Sequence, residues 1–152
     1  MNDNVTHIAD RNTHIDYVGA PRSVTRAELR ALIDWMGLTR IWFANRLGIT
    51  ERTVVRWIDG GTQIPEEAGV ELVKLWNKAA DQIGVIVAAG VAAAVDGVVT
   101  LKTFRVDKEY HAAVGSNEFP AGWHRALTCR AMDHLLMKTK YVVVIDFWEA
   151  GK

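Results

Sequence analysis

Four arginines gather in one short stretch of a chain that carries no net charge. They lie between positions 35 and 58 and are Arg40, Arg46, Arg52 and Arg56. A single acid, Glu51, lies among them. Guanidinium groups donate paired hydrogen bonds to phosphates and to guanine edges, so this chemistry suits nucleic acid. Because the whole chain has 18 basic and 18 acidic residues, any attraction to nucleic acid must be local.

A catalytic or metal site has few candidate residues. The nucleophiles or metal ligands that come near one another in sequence are His111, His124, Cys129 and His134. On one helix, positions 124, 129 and 134 are separated by about 140° each, so they do not share a face as a metal-binding pair does. We expect Cys129 to be an ordinary buried cysteine. With no phosphate-binding glycine loop and no carboxylate pair, the sequence predicts no enzyme, no metal and no cofactor.

The arginines belong to a pattern typical of two short helices that cross at a tight turn. Gly48 lies where the first helix ends and the chain must enter the left-handed region, which costs glycine little. Thr50 can then cap the second helix, and Ala44 is small enough for the helices to approach closely. The positions predicted to face the core are Phe43, Leu47, Val54, Trp57 and Ile58. The spacing from Arg40 to Ile58 therefore predicts a helix-turn-helix.

Further helices are predicted on both sides of this unit. Thr25 and Glu28 have the spacing of a capping box at the start of the preceding helix. The apolar positions of that helix are Leu29, Leu32, Ile33 and Met36. Gly37 ends it, Thr39 can cap the next helix, and Pro65 suits the opening turn of a fourth. We therefore expect four helices between about residues 26 and 80.

This arrangement resembles the lambda-repressor-like helix-turn-helix regulators. The matching string is Ala-x-x-Leu-Gly-Ile-Thr-x-x-Thr-Val-x-x-Trp from Ala44 to Trp57, followed by Asp59-Gly60 and Pro65. In such regulators the second helix enters the major groove of double-stranded DNA with its N-terminal residues facing the bases. The resemblance thus implies as base readers Glu51, Arg52, Thr53 and Arg56. It implies as phosphate contacts Thr39, Arg40, Thr50 and Thr62.

The stretch from Glu66 to Asp96 is predicted to be one long connecting helix, with a break near Gly84 or Gly90 as the alternative. Its apolar seam has steps of three and four residues and consists of Val73, Trp76, Ala80, Ile83, Val87 and Ala94, with Gly90 in the missing place. The uncharged part from Gln82 to Val95 is too short to span a membrane. We expect it to be buried, either in its own subunit or against a second copy, where its small residues would let another helix approach.

The last third of the chain is predicted to form a β-α-α-β unit. Strands are expected at Val98–Val106 and Tyr141–Trp148 and are expected to pair, with helices at Asp107–Val114 and after Pro120. The residues of the second helix expected to face a core are Trp123, Ala126, Leu127, Ala131, Leu135 and Leu136. The predicted fold class is mainly α with a small α+β C-terminal part.

This C-terminal half has a weaker resemblance to small phage and plasmid helix-turn-helix proteins, including the anti-CRISPR-associated autorepressors. The similar features are the long helix, a strand leading into Glu109-Tyr110, the Gly122-Trp123-His124-Arg125 helix start and the closing Val-Val-Ile-Asp strand. The resemblance implies homodimers that repress their own operon at inverted repeats. We assign the dimer interface to Trp76, Ile83, Val87, Val143, Ile145 and Phe147.

The predicted domain organisation has three parts. Residues 1–22 are expected to be a mobile arm, with a minor-groove contact by Arg11 or Arg22 as the alternative. Residues 23–80 form the helix-turn-helix domain, and residues 81–152 form the connecting helix and the dimerisation domain. The single cysteine and the lack of a signal-peptide pattern predict a cytoplasmic protein.

The sequence therefore predicts a DNA-binding repressor of phage or prophage type that acts as a homodimer and does not involve a membrane. The first alternative is an antitoxin whose apolar C-terminal half masks a toxin while the helix-turn-helix controls the operon. A ligand-sensing C-terminal half ranks last, because no convergent polar groups are visible.

Overall fold

The computed structural model describes residues 24–151, and the predicted arm at residues 1–22 lies outside this range. Within it the chain is mainly helical with one small sheet, which confirms the predicted fold class. The helices are α1 Arg26–Trp35, α2 Arg40–Leu47, α3 Glu51–Asp59, α4 Glu66–Ala92, α5 Asp107–Val114 and α6 Ala121–Lys138. The strands are β1 Val98–Thr103 and β2 Val142–Phe147. None of the described helices combines the length and apolar character that crossing a lipid bilayer requires.

The chain divides into two compact units between Asp81 and Gln82, inside α4. Unit 1 contains α1 to α3 and the first part of α4, and unit 2 contains the remainder of α4, both strands, α5 and α6.

The starts of α1, α2 and α3 are capped as the sequence predicts. At α1 the Glu28 amide donates to the Thr25 hydroxyl over 3.1 Å, and the Thr25 amide donates to the Glu28 carboxylate over 2.9 Å. At α2 the Trp42 amide donates to the Thr39 hydroxyl over 3.0 Å. These bonds satisfy amides that a helix leaves without partners in its first turn, so each start is encoded locally.

The core of unit 1 is formed by all four helices. Its buried residues include Leu29, Ile33, Met36, Phe43, Ala44, Val54, Trp57, Leu72 and Leu75. Leu32, Leu47 and Ile58 were expected in the same core but are only partly buried. They lie at the margins of their helical stripes, where the neighbouring helix does not fully cover them.

Helix α4 is continuous from Glu66 to Ala92, so the predicted long helix is confirmed and the alternative break is wrong. Its buried face in unit 1 differs from the predicted seam. The fully covered residues there are Ala68, Leu72, Leu75 and Ala79, whereas Val73, Trp76 and Ala80 are only partly buried. Leu72, Leu75 and Ala79 thus each lie one position before a residue of the predicted seam. The heptad spacing alone did not show which of these two neighbouring stripes faces the core.

Unit 2 has the predicted β-α-α-β order, and its two strands pair in parallel with Val98 opposite Val142 and Thr103 opposite Phe147. Beneath the sheet lies a core of Val99, Leu101, Ala131 and Leu135. Partly buried residues from α4 and β2 pack around this core, including Ile83, Ile86, Val87, Val143 and Ile145. In β1 the side chains alternate between the two faces of the sheet: Val99 and Leu101 are buried, and Thr100 between them is exposed.

Helix α6 corrects two expectations. Leu136 is 54% exposed, and Cys129 is exposed as well. The buried face of α6 contains Trp123, Leu127, Ala131 and Leu135, which follow one another at helical spacing. Cys129 is two residues, or about 200°, from Leu127 and from Ala131, so it points away from that face.

Candidate nucleic-acid interface

The turn between α2 and α3 has the geometry expected from its sequence. Gly48 has a φ of 69°, in the left-handed region, and the Ile49 amide closes the turn by donating to the Ala44 carbonyl over 3.0 Å. Ala44 is 1% exposed. Since nothing lies within 4 Å of a Cβ added at Gly48, the backbone angle and not crowding selects glycine here.

Helix α3 has one buried and one exposed side. Val54 is fully buried and Trp57 is 5% exposed. Arg52 and Arg56 are exposed and lie four residues apart on the same side. Each is about 160° around the helix from Val54 at 3.6 residues per turn. We call the exposed side formed by Arg52 and Arg56 the arginine face.

Within residues 24–151 neither guanidinium of the arginine face takes part in a hydrogen bond or an ion pair. The other two arginines of the cluster have partners. Arg46 Nε lies 3.0 Å from Glu71 Oε1, and Arg40 Nε lies 3.8 Å from Glu51 Oε1. The arginine face thus combines two positive charges with donors that the described part of the protein leaves available.

Glu51 and Thr53, the other predicted base readers, have local contacts. Both are partly buried, and Glu51 pairs with Arg40 as described above. The Thr53 hydroxyl lies 3.1 Å from the Thr50 hydroxyl, which also accepts from the Thr53 amide over 3.4 Å. Both hydroxyls help to start α3, but each keeps hydrogen-bonding capacity for an outside group.

The predicted phosphate contacts lie at exposed helix starts and in the loop after α3. Thr39 and Thr50 are exposed and serve as N-caps, and Arg40 is partly buried at the first position of α2. Thr62 is exposed in the loop that follows α3, and its amide donates to the Arg56 carbonyl over 3.4 Å.

A groove beside this loop is lined by one arginine, Arg26, that was not predicted from the sequence as a site residue. It has a volume of about 720 Å³ and is lined by Val24, Thr25, Arg26, Gly60, Gly61, Thr62, Gln63 and Ile64. The Arg26 guanidinium lies so close to Gly60 that a Cβ there would meet it. Arg26 is the first residue of α1, directly after the Thr25 cap, so the sequence placed it at a helix start. Only the folded structure shows that this helix start lies beside the end of α3.

The residues assigned to a dimer interface make contacts within their own units. Trp76 stacks on Trp35, with ring centroids 4.6 Å apart. Ile83, Val87, Val143 and Ile145 pack against the core of unit 2 and stay partly exposed. Phe147 is 39% exposed, and the Arg105 guanidinium lies 4.6 Å from the centre of its ring.

The candidate catalytic residues have separate surroundings. His124 is buried, with Nδ1 2.9 Å from the Thr103 hydroxyl, and burial lowers its pKa to about 4. His111 Nε2 lies 2.8 Å from the Phe119 carbonyl oxygen, whereas Cys129 and His134 are exposed. Within residues 24–151, no three histidine, cysteine or acidic side chains gather in a way that could hold a metal ion.

The sequence was also compared with known proteins. No model of a protein family matches the chain, and no curated protein matches it.

Proposed function

We propose that this protein is a sequence-specific DNA-binding transcriptional regulator. The observation that carries the proposal is the arginine face, which presents Arg52 and Arg56 on the side of α3 opposite the buried Val54. Two guanidiniums four residues apart on one helix suit bidentate contacts to guanine in the major groove. The capped turn before α3 supports this role, because it holds the helix start at a defined angle to α2.

The finer features of the proposal rest on the two family resemblances. They favour a repressor of phage or prophage type that binds an inverted repeat as a homodimer and occludes a promoter. Two recognition helices related by a two-fold axis would read half-sites about one helical turn apart. In this proposal Arg40 and the exposed hydroxyls of Thr39, Thr50 and Thr62 contact phosphates, and no step requires catalysis.

The test is a gel-shift series on the DNA upstream of the protein's own gene, with unrelated DNA of equal length as the competitor. Arg52→Ala combined with Arg56→Ala should lower the ratio of specific to non-specific affinity by about 30-fold or more, since each bidentate contact contributes about 1–3 kcal/mol of discrimination. Both side chains are exposed, so the variant should fold normally.

Arg30→Ala is the matched control, because Arg30 is an exposed arginine of α1 that pairs with Asp34 at 2.9 Å. It should keep the wild-type ratio. If the double variant discriminates as well as the wild type, Arg52 and Arg56 are not base readers and the proposal loses its main support.

A second candidate is an antitoxin that uses unit 2 to cover a toxin. The observation that favours it is the set of exposed apolar side chains in unit 2, such as Val95 at 67%, Met137 at 81% and Val142 at 60%. Co-expression with the product of the adjacent gene would test it. Relief of growth inhibition by the Arg52→Ala, Arg56→Ala variant, which leaves unit 2 unchanged, would favour the antitoxin.

A further inference from the structure

The sheet of unit 2 leaves one edge of β2 unpaired. Within residues 24–151 this sheet has only two strands, so β2 has β1 on one side and no strand on the other. The Val142 amide donates to the Gly97 carbonyl and the Trp148 amide to the Thr103 carbonyl. In a parallel pair, alternate residues bond to the neighbouring strand, so Val143, Ile145 and Phe147 direct their amides and carbonyls to the free edge.

This edge lacks the usual protection against pairing. Natural edge strands are commonly interrupted by proline, by a bulge or by charged side chains. β2 pairs with β1 over Val142–Phe147 without interruption and contains one charge, Asp146, which Lys102 of β1 binds at 2.9 Å. On its outer face Val142 is 60% exposed and Val144 is 43% exposed. The strand therefore offers a continuous backbone edge and two exposed apolar side chains.

We propose that the free edge of β2 pairs antiparallel with β2 of a second copy of this chain, so that the two sheets join into one of four strands. The two-fold axis lies at Val143. This register places Val142 opposite Val144 of the second copy and Asp146 opposite its Lys140. Apolar side chains thus meet apolar ones, and the only acid of the strand meets a base.

An axis at Val142 sets Asp146 opposite Lys138, which belongs to α6 and not to the extended chain. The registers that move the axis toward the end of β2 lack this complementarity. An axis at Val144 sets Asp146 opposite Val142, and an axis at Ile145 sets Asp146 opposite Val144. Both place a carboxylate against an exposed valine and leave Lys140 without an acid opposite it. Moving the two-fold axis by one residue moves the partner of every residue by two positions, which is why these registers pair different side chains.

The proposed surface differs from the interface predicted from sequence. Val143 and Ile145 contribute their backbone edge here, while their side chains stay on the core of their own unit. The pairing deepens the proposed function and rests on its homodimer, because it assigns the surface that joins the two copies; it does not require DNA. Sedimentation without DNA tests it, so failure of DNA binding and failure of this pairing are distinguishable.

The first experiment is cysteine cross-linking of the full chain in a Cys129→Ser background, which removes the exposed native thiol. Chains with Val142→Cys and chains with Val144→Cys are co-expressed with different tags and then oxidised. In the proposed register these positions form a non-hydrogen-bonded pair with Cα atoms about 4.5 Å apart, within disulfide range. A disulfide-linked dimer of the two tagged chains is expected.

Each single-cysteine chain oxidised alone is the control for register. Val144→Cys alone should cross-link poorly, because residues diagonal to each other are about 7–8 Å apart. Strong cross-linking of Val144→Cys with itself would overturn the register. Sedimentation of the wild type as a monomer at tens of micromolar would overturn the pairing, as would a dimer whose mixed cysteine chains do not cross-link.

A second variant tests the edge without cysteine. Val144→Lys puts a charge opposite an exposed valine of the second copy and should weaken dimerisation at least tenfold in sedimentation equilibrium. Thr100→Lys is the matched control, since Thr100 is exposed and pairs with Val144 but lies on β1, one strand away from the free edge. It should keep the wild-type dimer, and equal weakening by both variants would contradict the proposed edge.

Discussion

Four arginines that look equivalent in the sequence have different surroundings in the folded chain. Arg46 binds Glu71 and lies 5.6 Å from the centre of the Trp42 ring, so it contributes to the packing of unit 1. Arg40 pairs with Glu51. Of the four, only Arg52 and Arg56 combine an exposed side chain with donors that residues 24–151 leave unused. The role of each arginine depends on where the other helices put their acids.

His124 shows the same dependence on surroundings, and it predicts how stability varies with pH. The ring lies among Thr103, Thr128, Phe104 and Tyr110, with Thr128 Oγ1 3.2 Å from Nδ1. Burial lowers the pKa of His124 from 6.5 to about 4. The unfolded chain therefore binds more protons between these values, and the free energy of unfolding should fall by about 3 kcal/mol as pH drops through this window.

Urea unfolding at several pH values between 4 and 7.5 measures this effect. His124→Gln should flatten the dependence in that window, although it also lowers stability at pH 7 because Thr103 and Thr128 lose a partner. His134→Gln, at an exposed histidine of the same helix, should keep the wild-type dependence. An unchanged slope in His124→Gln would mean that His124 does not titrate differently in the folded chain.

At the scale of elements, α4 shows why a small residue can be required inside a helix. Gly90 was expected to let another helix approach. Its neighbours are instead side chains of β1, since an added Cβ would lie 2.6 Å from Leu101 Cδ2 and 2.9 Å from Val99 Cγ1. The glycine thus lets a strand pack closely on the helix. The residue type indicated close packing, but the partner was a sheet.

Gly90→Ala should therefore destabilise unit 2 although alanine is the better helix former. The gain in helix propensity is about 1 kcal/mol, and the overpacking costs about 1–3 kcal/mol. We expect a net loss of about 1 kcal/mol in chemical denaturation, and a larger loss for Gly90→Val. Ala89→Val adds bulk at an exposed neighbouring position and should change stability by less than about 1 kcal/mol. Stabilisation by Gly90→Ala would show that β1 can move away without cost.

For the whole molecule, zero net charge means that binding to DNA depends on how charge is distributed. Glu51 is the one acid of the arginine cluster, and it lies 3.8 Å from Arg40 with both side chains 42% exposed. An exposed pair of this kind contributes little stability. Its larger effect is on the local field, because the carboxylate offsets one of the four positive charges.

Glu51→Gln should therefore tighten binding to non-specific DNA several-fold at low salt. If the freed Arg40 neutralises one more phosphate, the slope of log affinity against log salt should steepen by about 0.9. Fluorescence anisotropy over a salt series measures both. Asp34→Asn makes the same charge change in the exposed Arg30–Asp34 pair of α1 and is the control. Weaker non-specific binding by Glu51→Gln would contradict the assigned role of Arg40.

Local features could be predicted from the sequence because they depend on residues a few positions apart. Thr25, Thr39 and Thr50 cap their helices, and Gly48 ends α2, through bonds that span three to five residues. The β-α-α-β order was predictable for the same reason, since periodicity and turn residues are local signals. These features also define α3 and the side on which Arg52 and Arg56 lie.

Only the tertiary structure decided which apolar stripe of α4 is buried, that Leu136 and Cys129 face outward, and that β1 fills the space at Gly90. It also decided that two of the four arginines form ion pairs, Arg46 with Glu71 and Arg40 with Glu51. These outcomes depend on groups that are far apart in the chain. A residue's own type and spacing limit what it can do, but burial and charge pairing are settled by the neighbours that folding brings to it.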